Sequence, residues 1–217
     1  MILLQNLTKN PLFAHIDQAD IEKMLVCFEA KRREYDEKDV VTVYGSSREK
    51  IGLLLNGTVS LNRINADGNL DMLEYIDGTG IFGDSFSFAN QDDEFMVICE
   101  KKCTVLFIDK FHITKRCPNA CLHHSLVVEN LIQLMANKVV TLSEKVDILS
   151  HRTIRSKLLS YFRLQSAKNG SQSFRLPFSY LSLANFLCVD RSAMTRELKK
   201  MKDEGLLFLD GKEITLL

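Results

Sequence analysis

Hydrophobic spacing divides the chain into stretches of different period. From Asp17, the sequence DQADIEKML places Ile21, Met24 and Leu25 on one helical face, so the first 30 residues read as helical. Between residues 35 and 109 the period shortens. Val40 to Tyr44 precedes Gly45-Ser46-Ser47, Ile51 to Leu55 precedes Asn56-Gly57, Val59 to Ile64 precedes Asp67-Gly68, and Met72 to Ile76 precedes Gly78-Thr79-Gly80. Val97-Ile98 and Val105 to Ile108 close the series, with Cys99 and Cys103 in an expected strand-turn-strand between them. Short apolar runs separated by Gly and Asn/Asp turns predict an all-β barrel or jelly roll.

A long helix is expected next, from Pro118 to near Arg152. Along it Val128, Ile132, Met135, Val139, Leu142, Val146 and Leu149 recur at alternating spacings of four and three, a heptad seam. The seam stays in phase for three repeats, which favours a parallel contact between two copies over one broad intramolecular stripe. Leu131 and Leu134 form a second stripe free to face the β region. Thr153 is a candidate N-cap for the following helix, TIRSKLLSYFRLQSA, which Lys168 to Ser171 ends. A hinge is expected near Ser150 to Thr153.

The segment Leu181 to Leu207 reads as two helices around a tight break. Ser179 and Ser182 are both candidate N-caps of the first, whose apolar face is Leu183, Phe186 and Leu187. Asp190 caps the second. Met194, Leu198 and Met201 would be its buried side, and Arg191, Ser192, Thr195, Arg196 and Lys199 its outer side. Gly205 suits the helix end. Leu206 to Leu209, Asp210-Gly211 and Glu213 to Leu217 then read as a β-hairpin. Helix-turn-helix plus hairpin is a winged helix, whose second helix enters the DNA major groove. Arg191, Ser192 and Thr195 occupy the turns that reach base edges, and an arginine there can pair bidentately with guanine. Lys199, Lys200 and Lys202 suit phosphates.

Charge sharpens this division. The 217-residue chain is formally neutral, but from His151 onward twelve Lys and Arg face six Asp and Glu, a net of +6, leaving −6 on the first 150 residues. A polyanion is attracted to the last third and repelled by the rest. No apolar run reaches the ~20 residues of a membrane span. The amino terminus is too short and polar for a secretion signal. The six cysteines fit a reduced state. A cytoplasmic protein with no membrane partner is expected.

Enzymatic chemistry has little support. No Gly-x-Ser-x-Gly, phosphate-binding loop or His-Glu-x-x-His is present. The run Gly78 to Gly83 lies between strands instead of opening a helix, so it fails as a dinucleotide fingerprint. Cys117, Cys121, His123 and His124 are weak metal candidates within eight residues. Their spacing matches no recognised zinc site and no second ligand pair accompanies them, so no metal is expected.

The order of these features resembles the CRP/FNR family of bacterial transcription regulators over nearly the whole chain. The resemblance rests on Leu55 to Val59, Asp67-Gly68, Gly80 to Asp84, the run VICEKKCTVLFID, and Val189 to Leu198. It implies a homodimer that binds double-stranded DNA, works with RNA polymerase and carries an effector pocket. By the same resemblance Arg191, Ser192 and Arg196 contact bases and phosphates. Phe82, Gly83, Asp84, Ser85, Glu94, Phe95 and Ser143 fall at the pocket. Where cyclic-AMP-binding members carry an Arg-Ser pair for the cyclic phosphate, this chain has Glu94-Phe95. A carboxylate beside a phosphate is repulsive, so cyclic AMP is not the expected effector and the cofactor stays unassigned. Of two hydroxyl residues that meet the adenine, only Ser143 keeps one. Phe82, Phe86, Phe88 and Phe95 either line a pocket for another ligand or are ordinary core. The iron-sulfur members' N-terminal cysteine cluster is absent, since only Cys27 lies there.

The expected architecture is α+β: an N-terminal double-stranded β-helix, a jelly-roll-like sensory roll, over residues 1–115, a dimerisation helix over 116–152, and a winged helix over 153–217. The expected function is a homodimeric DNA-binding transcription regulator, not an enzyme, whose roll senses a signal other than cyclic AMP. The alternative is a small-molecule-binding, or Cys/His metal- or redox-sensing, dimer whose winged helix mainly contacts protein.

Overall fold

The computed structural model describes residues 6–44, 50–64, 70–83, 95–114 and 122–217. The chain forms two compact units, residues 1–139 and 140–217. The fold is mixed α+β, with an antiparallel sheet in the first unit and a helix-turn-helix in the second.

In the first unit, helix α1 (Gln18–Cys27) precedes strands β1 (Lys31–Tyr35), β2 (Val40–Tyr44), β3 (Lys50–Ile64), β4 (Leu70–Asp77), β5 (Ile81–Phe82) and β6 (Phe95–Asp109). Short helix α2 (Lys110–Thr114) and long helix α3 (Leu122–Ser150) follow, α3 continuing past the unit boundary at residue 139. All pairing is antiparallel. The two long strands β3 and β6 pair with each other and share out the short ones. β6 pairs with β1 through residues 103–107 and with β2 through 95–98, while β3 pairs with β5 at one end and β4 at the other. This is a roll built around two long bent strands.

The bend differs from the expected pattern. Asn56-Gly57 is no turn, and Cys99 and Cys103 do not flank one. Each pair lies inside a single bulged strand. From Asn56 to Val59 β3 advances three residues while β6 advances five, from Thr104 to Cys99. Extra residues on one strand bend it and increase its twist. Gly57 sits at the corner with φ +83°, and a Cβ there would lie 2.3 Å from the Lys102 carbonyl oxygen and 2.6 Å from Cys103 Cα. An Asn-Gly pair signals a hairpin from local propensity, but here long-range pairing sets the outcome.

Around residues 51–55 both faces of the sheet are buried, which explains the unbroken apolar run Leu53-Leu54-Leu55. Leu54 joins Val59, Leu61, Phe82, Val97 and Phe107 inside the roll. Leu53 and Leu55 face outward into a second core with Leu12, Phe13, Ile21, Phe28, Val127 and Leu131. Polar contacts pin that core: Asn130 Nδ2 donates to the Leu12 and Ala14 carbonyls at 3.0 and 2.9 Å, and Lys138 Nζ donates to Glu74 and to the Ile81 carbonyl, both at 3.1 Å.

The second unit contains helix α4 (Ile154–Asn169), strand β7 (Ser173–Arg175), helices α5 (Tyr180–Leu187) and α6 (Arg191–Asp203), and strands β8 (Leu207–Asp210) and β9 (Glu213–Leu216). Thr153 caps α4 through a capping box with Ser156, and Gly170 closes it at φ +61°. Tyr161, Phe162, Phe174, Phe178 and Phe186 form a contiguous aromatic cluster under the helices. β9 lies between β7 and β8.

Gly57→Ala should destabilise the first unit by about 2–4 kcal/mol, since it combines left-handed strain with a backbone clash. Urea denaturation followed through the roll would measure this. A loss below about 1 kcal/mol, or a gain, would mean the corner relaxes freely, since Gly→Ala at an unstrained position stabilises.

Candidate nucleic-acid interface

The helix-turn-helix is assembled from short-range capping. Ser179 Oγ accepts from the Ser182 amide at 3.1 Å and so caps α5, while Ser182 sits inside the helix. Cys188, at φ +51°, ends α5 in the left-handed conformation. Asp190 Oδ1 accepts from the Ala193 amide at 2.7 Å and starts α6. A carboxylate at a helix N-terminus satisfies an orphan amide and meets the positive end of the dipole.

The rotation of α6 about its axis follows from three side chains. Met194, Leu198 and Met201 are buried at i, i+4, i+7. Ser192, Arg196 and Lys199 repeat the same spacing on the opposite side, and all three are exposed. Arg191, Thr195 and Lys200 are exposed as well. Arg191, Arg196 and Lys199 make no ion pair with a described residue. Thr195 Oγ1 donates to the Arg191 carbonyl at 2.9 Å. Its one proton is therefore engaged, and towards an outside partner the hydroxyl offers lone pairs and a methyl group.

Several residues that hold this surface carry no local sequence signal. Arg155 on α4 donates to Glu197, and its guanidinium fork reaches both oxygens of Glu204, at 2.6 and 3.1 Å. These partners lie 42 and 49 residues away in sequence. The hydrogen bonds from Arg155 hold the Glu204 carboxyl below its ordinary value, and the same carboxylates raise the guanidinium's. Two acids that would repel phosphate are thereby partnered. Lys157 Nζ donates to the Leu187 carbonyl at 3.1 Å, closing the end of α5. Tyr180 Oη donates to the Gly211 carbonyl at 2.7 Å, tying α5 to the hairpin turn. Phe208 is exposed on that hairpin with Lys202 Nζ 5.6 Å from its ring centre.

The remaining expected sites lie elsewhere. Phe82 and Phe95 are buried in the roll, and Phe82 meets Phe107 edge-on at 6.1 Å. The Phe82 ring occupies the space where a Cβ on Gly52 would sit, 2.1 Å away. Gly83 has φ +78° and abuts the Tyr44 hydroxyl. Ser143 is exposed on α3. Asp84, Ser85, Phe86, Phe88 and Glu94 lie outside the described residues, as do Cys117 and Cys121. His123 and His124 turn to different partners. His123 Nε2 lies 3.2 Å from Asp20 Oδ2, whereas His124 Nε2 meets the Ile113 carbonyl. Among the described residues no group of three or more His, Cys, Asp or Glu could hold a metal ion. Nor is any described helix long and apolar enough to cross a membrane.

Along α3 the seam residues Ile132, Val139, Leu142 and Val146 are 63%, 63%, 54% and 66% exposed. Leu149 is half-buried. Val128 and Met135 are half-buried because they also lean on the outer core of the first unit.

Residues 156–217 match the family described as the Crp-like helix-turn-helix domain. The second unit carries a Crp-like helix-turn-helix. The fold of the described residues is similar to that of solved CRP/FNR-family transcription regulators. It is similar to the c-di-GMP responsive global regulator CLP of Xanthomonas campestris, with 20% identity, 92% of this chain and 99% of that one covered, and a TM-score of 0.72. It is also similar to FixK2 from Bradyrhizobium japonicum (14% identity, 86% and 92% covered, TM-score 0.65). The Thermus thermophilus catabolite activator protein shares 20% identity over 96% of this chain and 94% of that one, with a TM-score of 0.52. No curated protein sequence matches the chain.

The Arg155–Glu204 contact makes the Crp-like domain's stability pH-dependent. Glu204 is lowered from its ordinary 4.5. A depressed carboxyl contributes stability above its unfolded value and loses it as pH falls through the folded one. The melting temperature should therefore drop on acidification below about pH 5, and Glu204→Gln should flatten part of that acid limb. An identical acid limb in both proteins would contradict the assignment.

Proposed function

We propose that the protein is a homodimeric, sequence-specific DNA-binding transcription regulator. The observation that carries this reading is the outward stripe of α6, where Arg191, Ser192, Arg196 and Lys199 stand exposed on a Crp-like helix-turn-helix. Arg191, Ser192 and Thr195 lie in the first turns and read base edges. Arg196, Lys199 and Lys200 supply phosphate contacts and counterion release. Thr195, with its proton engaged by the Arg191 carbonyl, accepts from a base amino group or packs its methyl on thymine.

Dimerisation is supported by the exposed seam of α3. A row of solvated Ile, Val and Leu at heptad spacing is unfavourable in water and gains by pairing with its own copy. Two copies would then present two recognition helices to successive major grooves, about 34 Å apart. In this reading residues 1–115 are the sensory roll, 116–152 the dimer helix and 153–217 the DNA-binding domain. RNA polymerase is the expected macromolecular partner on DNA. The effector is a small molecule other than cyclic AMP, because Glu94-Phe95 supplies no cation for a cyclic phosphate. Effector binding would act by favouring one of two packings of the dimer helix.

Selection from random duplexes should yield a preferred site bound with a negative salt dependence. Arg191→Ala should weaken that site by about 1–3 kcal/mol and relax one base-pair position, while Lys200→Ala should weaken all sequences alike and reduce the salt slope by about 1. Absence of salt-dependent binding to any duplex would sink the DNA-binding reading; equal losses on specific and random DNA would make Arg191 a phosphate contact.

A Val139→Glu, Val146→Glu double variant should sediment as a monomer with the far-ultraviolet spectrum preserved. It should lose on the order of a hundredfold in affinity for a two-half-site duplex. A double variant that stays dimeric would place the interface off this seam.

A further inference from the structure

The bulged corner of β6 brings together two thiols that DNA binding does not use. Cys99 and Cys103 are 0% and 1% exposed and belong to the core inside the roll. Both are free thiols. Four residues apart on a regular strand, they would be well separated. Here the two extra residues between Thr104 and Cys99 bend the strand, so that five residues of β6 span only three of β3. Cys99 Sγ lies 3.6 Å from the carbonyl of Tyr35, the residue that pairs directly with Cys103 across β1 and β6. The Cys99 thiol donates to the Lys101 carbonyl at 3.1 Å. Both cysteines therefore adjoin Tyr35 inside one core.

We propose that Cys99 and Cys103 are an oxidisable dithiol site, which a hydroperoxide converts to an intramolecular disulfide across the β6 corner. Cys99 is the attacking group, because burial pushes the Cys103 thiol up to about 12 and makes it the poorer source of thiolate. Its thiolate attacks one peroxide oxygen, the O–O bond breaks, and the leaving oxygen departs as water or an alcohol after protonation. The sulfur of Cys103 then attacks the Cys99 sulfenic acid, the S–O bond breaks, and water leaves with the Cys103 proton. Two thiols lose two electrons and two protons, and the hydroperoxide takes them up. The product is uncharged, so it suits an apolar surrounding that would penalise a thiolate.

Burial also sets the rate. It raises both thiols, with Cys103 pushed up to about 12, so the closed roll holds few thiolates at neutral pH. When water enters the corner, the desolvation that raises Cys99 falls away while Cys103 stays beside it in sequence. Oxidation is therefore gated by opening of the corner. The resulting bond would link the part of β6 paired with β2 to the part paired with β1, and would pin the bend around which the roll closes.

The test uses full-length protein, hydrogen peroxide, an acid quench, alkylation and tryptic mapping. Lys101 and Lys102 lie between the two cysteines, so trypsin separates them unless a disulfide holds the peptides together. The expected product is that linked pair, released by dithiothreitol, formed faster in sub-denaturing urea and retained when Cys27, Cys117, Cys121 and Cys188 are all replaced by serine. In Cys103→Ser, Cys99 should instead accumulate as a sulfenic acid trapped by dimedone. Free Cys99 and Cys103 after the exposed Cys27 and Cys188 are fully oxidised, both with and without urea, would overturn the proposal. So would oxidation of the two to separate sulfinic acids with no linked peptide. None of these readouts involves DNA, so the outcome is independent of the function proposed above.

Discussion

The burial of Met194, Leu198 and Met201 is the constraint on which the helix-turn-helix surface rests. A helix has one rotational degree of freedom about its axis, and these three side chains remove it. Once they are seated, Ser192, Arg196 and Lys199 must point away from the domain, because both sets repeat at i, i+4, i+7 on opposite faces. The remaining contacts trim this arrangement. Asp190 fixes where the helix starts, and Arg155 ties its middle and its end to α4 through Glu197 and Glu204. The acids are partnered inward and the cations are left outward, a sorting of charge that local composition alone does not produce.

The first unit rests on a different device. The roll has two long strands instead of many short ones, and its shape comes from excess residues at one corner. Gly57 allows β3 to pass against the Lys102–Cys103 backbone, and the bulges let β6 change partners from β2 to β1. The corner is tight, buried and bounded by backbone, so side-chain adjustment cannot absorb a change there. The two thiols sit at this bend, where sheet geometry departs furthest from a regular ladder.

Much of this was legible in the sequence, and the exceptions have physical reasons. The helices of the second unit were readable because caps and apolar periodicity agree: Thr153, Ser179 and Asp190 all accept the amides their positions predict. β1 was not readable. Its sequence Lys31-Arg32-Arg33-Glu34-Tyr35 has no alternation, and it is a strand because β6 offers it partners. Asn56-Gly57 gave a false turn, since a glycine at positive φ serves a bulge as well as a hairpin. The outward face of α6 could be drawn from spacing. Its support by Arg155 could not, because that contact joins residues more than forty positions apart. Phe82 was ambiguous between core and pocket lining, and packing against Gly52 and Phe107 now accounts for its ring.

The exposed seam of α3 joins the two sides of the argument. Val128 and Met135 are held partly by the outer core of the first unit, while Ile132, Val139, Leu142 and Val146 are left to solvent. A heptad position shared between an intramolecular core and an external face is sensitive to both. If the outer core tightens on Val128 and Met135, the helix turns about its axis and carries its exposed apolar residues with it. Packing in the first unit and the orientation of these exposed side chains are therefore physically linked through one helix. Asn130, bonded to the Leu12 and Ala14 carbonyls, and Lys138, bonded to Glu74 and the Ile81 carbonyl, act on the same stretch of helix. Asn130 lies between the two shared residues and Lys138 one turn after Met135, so both fix the register of this stretch of helix against the first unit.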